Sequence, residues 1–206
     1  MKGKFITFEG SEGSGKSTQI QMAFDYLRSK KRPVIFIREP GGVKISEAIR
    51  NILLDPQNAG MTDICETLLY MAARSQLVEE QITPALEKGT TVLCDRFLDS
   101  TVVYQGYGNG VDIKFIKEIG QLATQGIAPD LTFIFDIDTK EGLARRGKNK
   151  DRIEQRPLEY HNRVRKGYLE LAKQEPDRIK VIKVDKTREG IRDVIRPYLD
   201  ELLGIK

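Results

Sequence analysis

Gly10-Ser-Glu-Gly-Ser-Gly-Lys-Ser17 is the stretch of this 206-residue sequence that decides its fold. It has the spacing G-x-x-x-x-G-K-[ST] and lies between a strand pattern, Phe5–Glu9, and a helical pattern that begins at Lys16. Glycines let a backbone wrap closely around phosphates, and the following helix adds the positive end of its dipole. The alternative is a Gly/Ser turn with a chance lysine. The strand before the stretch and the helix after it favour a site for ATP or GTP.

Strand patterns recur along the chain and alternate with helical ones. The fourth strand is apolar along nearly its whole length, which is typical of a parallel strand buried on both faces. This order predicts an α/β fold, a three-layer α/β/α arrangement of the phosphate-loop NTPase type with a five-stranded parallel sheet. No linker-like segment divides the chain, so residues 1–206 are predicted to form a single domain. The predicted strands are Phe5–Glu9, Pro33–Ile37, Thr90–Cys94, Leu131–Ile137 and Ile179–Val184.

Three helix signals accompany the strands. Asp63 and Glu66 have the spacing of a capping box and predict a long helix from Asp63 towards Lys88. Pro157 suits the first turn of a helix, and Pro197 predicts a kink or break in the last one.

The composition excludes several classes of protein. Hydrophobic residues make up 39% of the chain and the net charge is +4, so disorder is disfavoured and the charge is a weak argument for binding nucleic acid or membranes. Cys65 and Cys94 lie in apolar runs and are predicted to be reduced, buried thiols. The start of the chain reads as a strand and not as a signal peptide, and no apolar run is long enough to span a membrane. We expect a cytoplasmic protein.

Asp95 and Arg96 form a second anchor at the end of the third strand. In phosphate-loop proteins, an acid at this position holds Mg²⁺, and Ser17 of the loop is the other expected ligand. The adjacent guanidinium could hold a second phosphate. The alternative is an ion pair or cap at the strand end.

Further arginines suggest a second anionic ligand. Arg38 follows the second strand, at the edge where open α/β sheets place ligands, and Arg50 and Arg74 lie on the next helices. Tyr70 is four residues before Arg74, so an aromatic ring and a guanidinium share one helix face and could hold a nucleobase. Each arginine could instead be solvated, and Tyr70 could be a core residue.

The segment 145–156 is rich in basic residues, including Arg145, Arg146 and Arg152. Such a run is usually a solvated loop, but here it lies where a lid could close over ATP. The phosphate loop has no arginine of its own, and phosphoryl transfer needs cations on the moving group. This segment is therefore the predicted source of the catalytic cation.

Several motifs together resemble those of the bacterial thymidylate kinases, which phosphorylate dTMP to dTDP with ATP. The likeness covers nearly the whole chain. Its markers are Phe8-Glu-Gly-x-Glu-Gly-x-Gly-Lys16, Arg38-Glu-Pro-Gly-Gly42, Tyr70-Met-Ala-Ala-Arg74, Asp95-Arg-Phe97, Tyr104-Gln-Gly106 and Asp151-Arg-Ile-Glu-Gln155. Tyr70 departs from the usual phenylalanine, and Phe97 from the common tyrosine or histidine.

The resemblance implies a role for each matched residue. Lys16 and Arg96 would act in catalysis, with Arg152 the first choice and Arg146 the second for the arginine that stabilises the transition state. Ser17 and Asp95 would hold Mg²⁺. ATP would lie on Gly10, Ser11, Glu12, Gly13, Ser14, Gly15, Lys16, Ser17 and Thr18. In the dTMP site, Arg38, Arg50 and Arg96 would hold the phosphate, Glu12 would lie near the 3′-hydroxyl and Tyr104 near the 2′ position. Tyr70 would stack on the base, Arg74 and Gln105 would contact the base edge, and Ser100 and Thr101 would line the base pocket. The resemblance also implies a homodimer formed through helices that include the one from Asp63.

Two alternatives to this function remain at the level of sequence. A kinase for dUMP or a deoxynucleoside would share the phosphate loop, although a nucleoside kinase would not need the arginines for an acceptor phosphate. A nucleotide-dependent switch would usually carry Asn-Lys-x-Asp, whereas Asn149-Lys150-Asp151 lacks the intervening residue.

Overall fold

The computed structural model describes residues 2–147 and 151–205. Five strands form one sheet in which every pairing is parallel: β1 Phe5–Gly10, β2 Val34–Arg38, β3 Thr91–Asp95, β4 Leu131–Asp136 and β5 Ile179–Lys183. The strand order is β2-β3-β1-β4-β5, so β1 is central and its carboxyl end opens directly into the phosphate loop. The predicted fold class is confirmed.

Helices cover both faces of the sheet. They are α1 Lys16–Ser29, α2 Lys44–Leu54, α3 Asp63–Leu77, α4 Thr83–Glu87, α5 Leu98–Thr101, α6 Ile113–Ala123, α7 Thr139–Ala144, α8 Leu158–Gln174 and α9 Arg188–Leu203, with π-helical turns at Val78–Ile82 and Val102–Gly108 and a 3₁₀ turn at Pro56–Asn58. Ile6 and Phe8 of β1 pack against α1 and α9 on one face. Phe5, which points the other way, packs with apolar residues that follow α3 on the opposite face. This alternation is the period of two that a strand requires.

The predicted long helix begins at Asp63 as expected, but its cap and its middle differ from the prediction. Thr62 caps the helix by accepting a hydrogen bond from the Cys65 N–H at 3.4 Å, and Asp63 is already helical. The capping-box prediction was wrong because Glu66 points into the interior, where it is fully buried. Between Leu77 and Thr83 the helix becomes π-helical, which shifts its apolar face by one residue.

Two further expectations need correction. The last helix is not broken at Pro197 but continues through it to Leu203. Cys94 is buried as predicted, whereas Cys65 is exposed on the first turn of α3. Within residues 2–147 and 151–205, no helix combines the length and apolar character needed to cross a membrane.

Candidate active site

A cleft of about 470 Å³ lies at the carboxyl ends of β1, β2 and β3. This edge is where open parallel sheets bind ligands. The cleft brings together most of the residues that the sequence singled out. They are Glu12, Gly13, Ser14, Gly15, Lys16, Ser17, Thr18, Arg38, Arg50, Tyr70, Arg74, Asp95, Arg96, Ser100, Thr101, Tyr104, Gln105 and Arg146. Gly10, Ser11 and Arg152 are not in the lining.

The phosphate loop has the conformation that its glycines allow. Gly13 has a φ of 69°, and a Cβ at that position would lie 2.0 Å from the Gly142 carbonyl oxygen, so only glycine lets the loop pack on the backbone of α7. The Lys16 ammonium donates to the carbonyl oxygens of Gly10 at 2.9 Å and Ser11 at 3.1 Å. Burial, with Arg96 nearby, lowers the pKa of Lys16 to about 8. A phosphate group would give this cation the anionic partner that neutral carbonyls do not supply.

Ser17 and Asp95 lie together beside the loop. The Ser17 hydroxyl donates to Oδ2 of Asp95 at 3.4 Å. The other carboxylate oxygen, Oδ1, is buried and has no hydrogen-bond partner among the residues that the structure describes. A buried carboxylate oxygen without a donor is costly unless a cation binds to it. The hydroxyl and carboxylate oxygens therefore fit a site for Mg²⁺, which prefers oxygen ligands and shares its shell with substrate phosphates.

Arg96 is fixed from several sides. It follows β3 with a φ of 70°, an uncommon conformation for a residue with a side chain. Its guanidinium pairs with Glu12 at 2.8 Å, donates to the hydroxyls of Ser100 and Tyr168 at 3.2 Å each, and lies 4.9 Å from the Tyr104 ring centroid. The strained backbone and the four contacts hold this cation in the cleft, beside Glu12 of the phosphate loop.

The Glu12 carboxylate is stabilised in its charged form. It accepts from the Tyr104 hydroxyl at 2.8 Å as well as from Arg96. Although burial opposes ionisation, the Arg96 and Lys16 cations lower the pKa of Glu12 to about 2. One acid thus links the phosphate loop to the residues that follow β3.

Glu9 lies beneath this cluster, and sequence reasoning assigned it no role although it follows Phe8 in one of the marker motifs. The side chain is fully buried and accepts from the Phe97 N–H at 2.7 Å and from the hydroxyls of Ser100 at 2.5 Å and Tyr168 at 2.9 Å. Burial, reinforced by the nearby Asp99 charge, raises the pKa of Glu9 to about 7. The carboxyl therefore fixes the backbone that carries Arg96.

Arg38 and Arg50 converge on the side of β2. Both donate to the Pro40 carbonyl oxygen, at 3.0 Å from Arg38 and 2.8 Å from Arg50. Glu47 holds the Arg38 guanidinium through two hydrogen bonds and also accepts from the Gly42 N–H at 2.7 Å. The neutral Pro40 oxygen and the one carboxylate of Glu47 occupy only part of the donors of these two guanidiniums, which leaves others available for an anion.

Arg74 and Glu39 form a buried ion pair at the back of the cleft. Arg74 Nε lies 2.8 Å from Glu39 Oε2, and the side-chain exposures are 2% and 4%. Arg74 also donates to the Phe97 carbonyl and the Thr101 hydroxyl, at 3.0 Å each. Burial raises the pKa of Glu39 to about 7 despite the neighbouring guanidinium. Sequence reasoning missed Glu39 because nothing local marks an acid after β2 as buried.

The arginines of the segment 145–156 have different surroundings. Arg145 and Arg146 both line the cleft, and Arg146 pairs with Glu154 at 2.5 Å. Arg152 is buried outside the cleft lining, where it pairs with Glu66 at 2.5 Å and donates to the Leu53 carbonyl at 2.8 Å. Lys148, Asn149 and Lys150 lie outside the described residues.

The fold and the site define the class of the protein. A phosphate loop, a Ser/Asp pair suited to Mg²⁺ and a set of arginines across one cleft are the parts of a phosphoryl-transfer site, so this is a phosphotransferase of the phosphate-loop α/β class.

Comparison with known proteins gives the family. The profile of the family described as thymidylate kinase matches residues 8–195. A thymidylate kinase of Symbiobacterium thermophilum is 48% identical over 97% of this chain and 94% of its own, and one of Thermoanaerobacter pseudethanolicus is 46% identical over 97% and 100%. The crystal structure of thymidylate kinase from Ehrlichia chaffeensis matches with a TM-score of 0.81 at 34% identity, covering 97% of this chain and all of that one. The chain belongs to the thymidylate kinase family.

Proposed function

We propose that this site transfers the γ-phosphoryl group of ATP to the phosphate of dTMP, giving dTDP in the biosynthesis of dTTP. The observation that carries the proposal is the meeting, in one cleft, of the phosphate loop and the Arg38, Arg50 and Arg96 guanidiniums. The loop suits a triphosphate, and three arginines suit an acceptor that is itself a phosphate.

The transfer is governed by position and charge. Lys16 neutralises the β- and γ-phosphates, and Arg96 aligns the acceptor phosphate for in-line attack. The acceptor oxygen is already anionic, so no side chain needs to remove a proton from it. Of the two candidates that the family motifs indicate, Arg152 and Arg146, we assign Arg146 to the transition state, because it lines the cleft and Arg152 does not.

Ser17 and Asp95 would hold Mg²⁺, which when bound neutralises charge on the β- and γ-phosphates. The residues of this chain orient the rest of the site. Glu12 pairs with Arg96 and would contact the sugar 3′-hydroxyl. Tyr104 contacts both Glu12 and Arg96 and would exclude a 2′-hydroxyl.

The acceptor base would lie between α3 and the turn 102–108. Tyr70 supplies an aromatic face, Arg74 and Gln105 supply polar groups for the base edge, and Ser100 and Thr101 complete the pocket. These roles follow the family motifs and agree with where the side chains lie.

We extend the proposal to assembly and location. Ile45 and Ile52 of α2, Ile64 of α3 and Leu122 of α6 are large apolar side chains that are 46% to 80% exposed. A homodimer through this face would bury them, and we expect sedimentation to show a dimer. The expected compartment is the cytoplasm.

The test is ADP release with Mg-ATP and a panel of acceptors: dTMP, dUMP, UMP, dCMP, AMP, dGMP and thymidine. A strong preference for dTMP is expected. Turnover with another monophosphate would void the base-pocket roles and keep the phosphate-binding arginines. Turnover with thymidine alone would argue against those arginines, and ATP hydrolysis that no acceptor stimulates would refute the phosphotransferase.

A further inference from the structure

Glu66 of α3 is a fully buried acid that the proposed chemistry does not use. Three side chains donate hydrogen bonds to it and a fourth forms an ion pair with it, and the four contacts divide between its two oxygens. Oε1 accepts from the amides of Gln105 at 2.8 Å and Asn109 at 3.2 Å. Oε2 pairs with the guanidiniums of Arg152 at 2.5 Å and Arg156 at 2.7 Å.

The contact with Gln105 determines how that amide is oriented. A glutamine amide has a donor end and an acceptor end, whereas a carboxylate only accepts. The NH₂ group of Gln105 must therefore face Glu66. The Gln105 side chain also lines the cleft, so it presents its own carbonyl oxygen to a bound base.

The other oxygen of Glu66 is held so that this orientation cannot relax. Arg152 is anchored to the C-terminal end of α2 through the Leu53 carbonyl, and Arg156 lies 4.5 Å from the Tyr160 ring centroid and also contacts Asn109. Because Oε2 of Glu66 pairs with two cations, Oε1 of Glu66 is the carboxylate oxygen that faces Gln105. If the Gln105 amide turned over, its oxygen would face the carboxylate and a buried NH₂ group would lose its acceptor.

We propose that Glu66 is a specificity-determining residue, which selects a pyrimidine that carries a hydrogen on N3 by fixing the carbonyl of Gln105 towards the base. The inference rests on the proposed contact between Gln105 and the base. Thymine and uracil donate from N3, and the fixed carbonyl accepts that hydrogen. Cytosine has an unprotonated N3, which would face the carbonyl oxygen without a hydrogen between them.

The decisive variant is Glu66→Gln. The guanidiniums of Arg152 and Arg156 only donate, so a glutamine at this position turns its carbonyl to them and its NH₂ to Gln105. The Gln105 amide must then turn over to accept from that NH₂. We expect the ratio of kcat/KM for dTMP to kcat/KM for dCMP to fall by roughly 10- to 100-fold, the scale of one unsatisfied buried hydrogen bond. We also expect kcat/KM for dCMP to rise above that of the parent. Such a gain of activity cannot come from damage to the fold.

A matched control is Glu47→Gln. It also removes a carboxylate that pairs with a guanidinium, but Glu47 holds Arg38 beside the phosphate and does not contact Gln105. Both acceptors share that phosphate, so this variant is expected to lower kcat/KM for dTMP and dCMP alike and to leave their ratio unchanged.

A second variant covers the case in which Glu66→Gln does not fold. The double change Glu66→Gln with Arg156→Gln removes the carboxylate together with one of its two cations, so one buried guanidinium, and not two, is left without an anionic partner. It should show the same fall in the ratio. An unchanged ratio in a folded variant would refute the role of Glu66. A parent enzyme that uses dCMP as well as dTMP would instead refute the base-pocket assignment, and one inactive with dTMP would refute the proposed function.

Discussion

One pair of variants can decide whether Arg152 or Arg146 is the arginine that stabilises the transition state. Family resemblance favours Arg152 as the transition-state arginine, whereas the structure buries it against Glu66 and Leu53 and places Arg146 in the cleft. We expect Arg152→Ala to act mainly on stability and Arg146→Ala mainly on turnover.

The loss in the free energy of unfolding expected for Arg152→Ala depends on which partners Glu66 keeps. Breaking a buried ion pair by removing one partner costs about 3–5 kcal/mol when the other charge is left alone. Glu66 keeps Arg156 and the amides of Gln105 and Asn109, so the loss for Arg152→Ala should be smaller, about 2–3 kcal/mol. Since Arg152 is outside the cleft, kcat should change by less than about tenfold, whereas Arg146→Ala should lower kcat by about 10²–10³ with little change in KM for ATP.

Urea unfolding and steady-state kinetics on both variants give the answer. Arg163→Ala is a suitable control, because Arg163 donates two hydrogen bonds to the Gly108 carbonyl and is not part of the cleft lining. If Arg152→Ala keeps the parent's free energy of unfolding while its kcat falls by about 10²–10³ at unchanged KM for ATP, the reasoning from the buried ion pair is refuted and the sequence-based assignment is correct.

Three further predictions concern the loop and the acids. Glu9→Gln should flatten the pH dependence of stability. The pKa of Glu9 is about 7 in the folded chain and near 4.5 in the unfolded chain, so the parent loses stability as pH rises through about 7. Urea unfolding between pH 5 and 8 should show a smaller loss in the variant. Gly13→Ala should destabilise the protein by about 2 kcal/mol or more because its Cβ would meet the Gly142 carbonyl, whereas Gly15→Ala, at a similar φ but with open space around it, should cost less; equal thermal shifts would contradict this. Asp95→Asn should raise the Mg²⁺ concentration for half-maximal velocity by about tenfold or more, and an unchanged Mg²⁺ titration would exclude Asp95 as a ligand.

The sequence predicted those parts of the molecule that local signals determine. The helix Lys16–Ser29 begins at the predicted residue, and β3 is displaced by one residue from the prediction. Glycine spacing, apolar runs and cap residues act over a few positions, so a single sequence carries enough information to place them. The phosphate loop and the charged residues Arg38, Asp95 and Arg96 at the strand ends were therefore predicted from the sequence.

The buried charges could not be predicted in this way. Glu66 matches a capping-box pattern, yet its partners include Arg152 and Arg156, which lie nearly ninety positions further along the chain. Glu39 is likewise buried by Arg74, on a helix that is remote in sequence. Acids are usually exposed, and only tertiary contacts determine which of them have a buried cation as a partner. The density of arginines in the segment 145–156 gives no indication of which guanidinium is already neutralised.

The central position of β1 has a consequence for engineering this enzyme. On one side of β1, strands β2 and β3 with α2 and α3 carry most of the residues assigned to the acceptor; on the other side, β4 leads into α7 and Arg146, which is assigned to the transition state. Most of the acceptor contacts therefore lie in one half of the sheet. A library intended to widen the range of acceptors can be concentrated in the β2–β3 half. Monophosphates of nucleoside analogues would be suitable targets for such a library, and the phosphate loop and Arg146 would be carried through the selection unaltered.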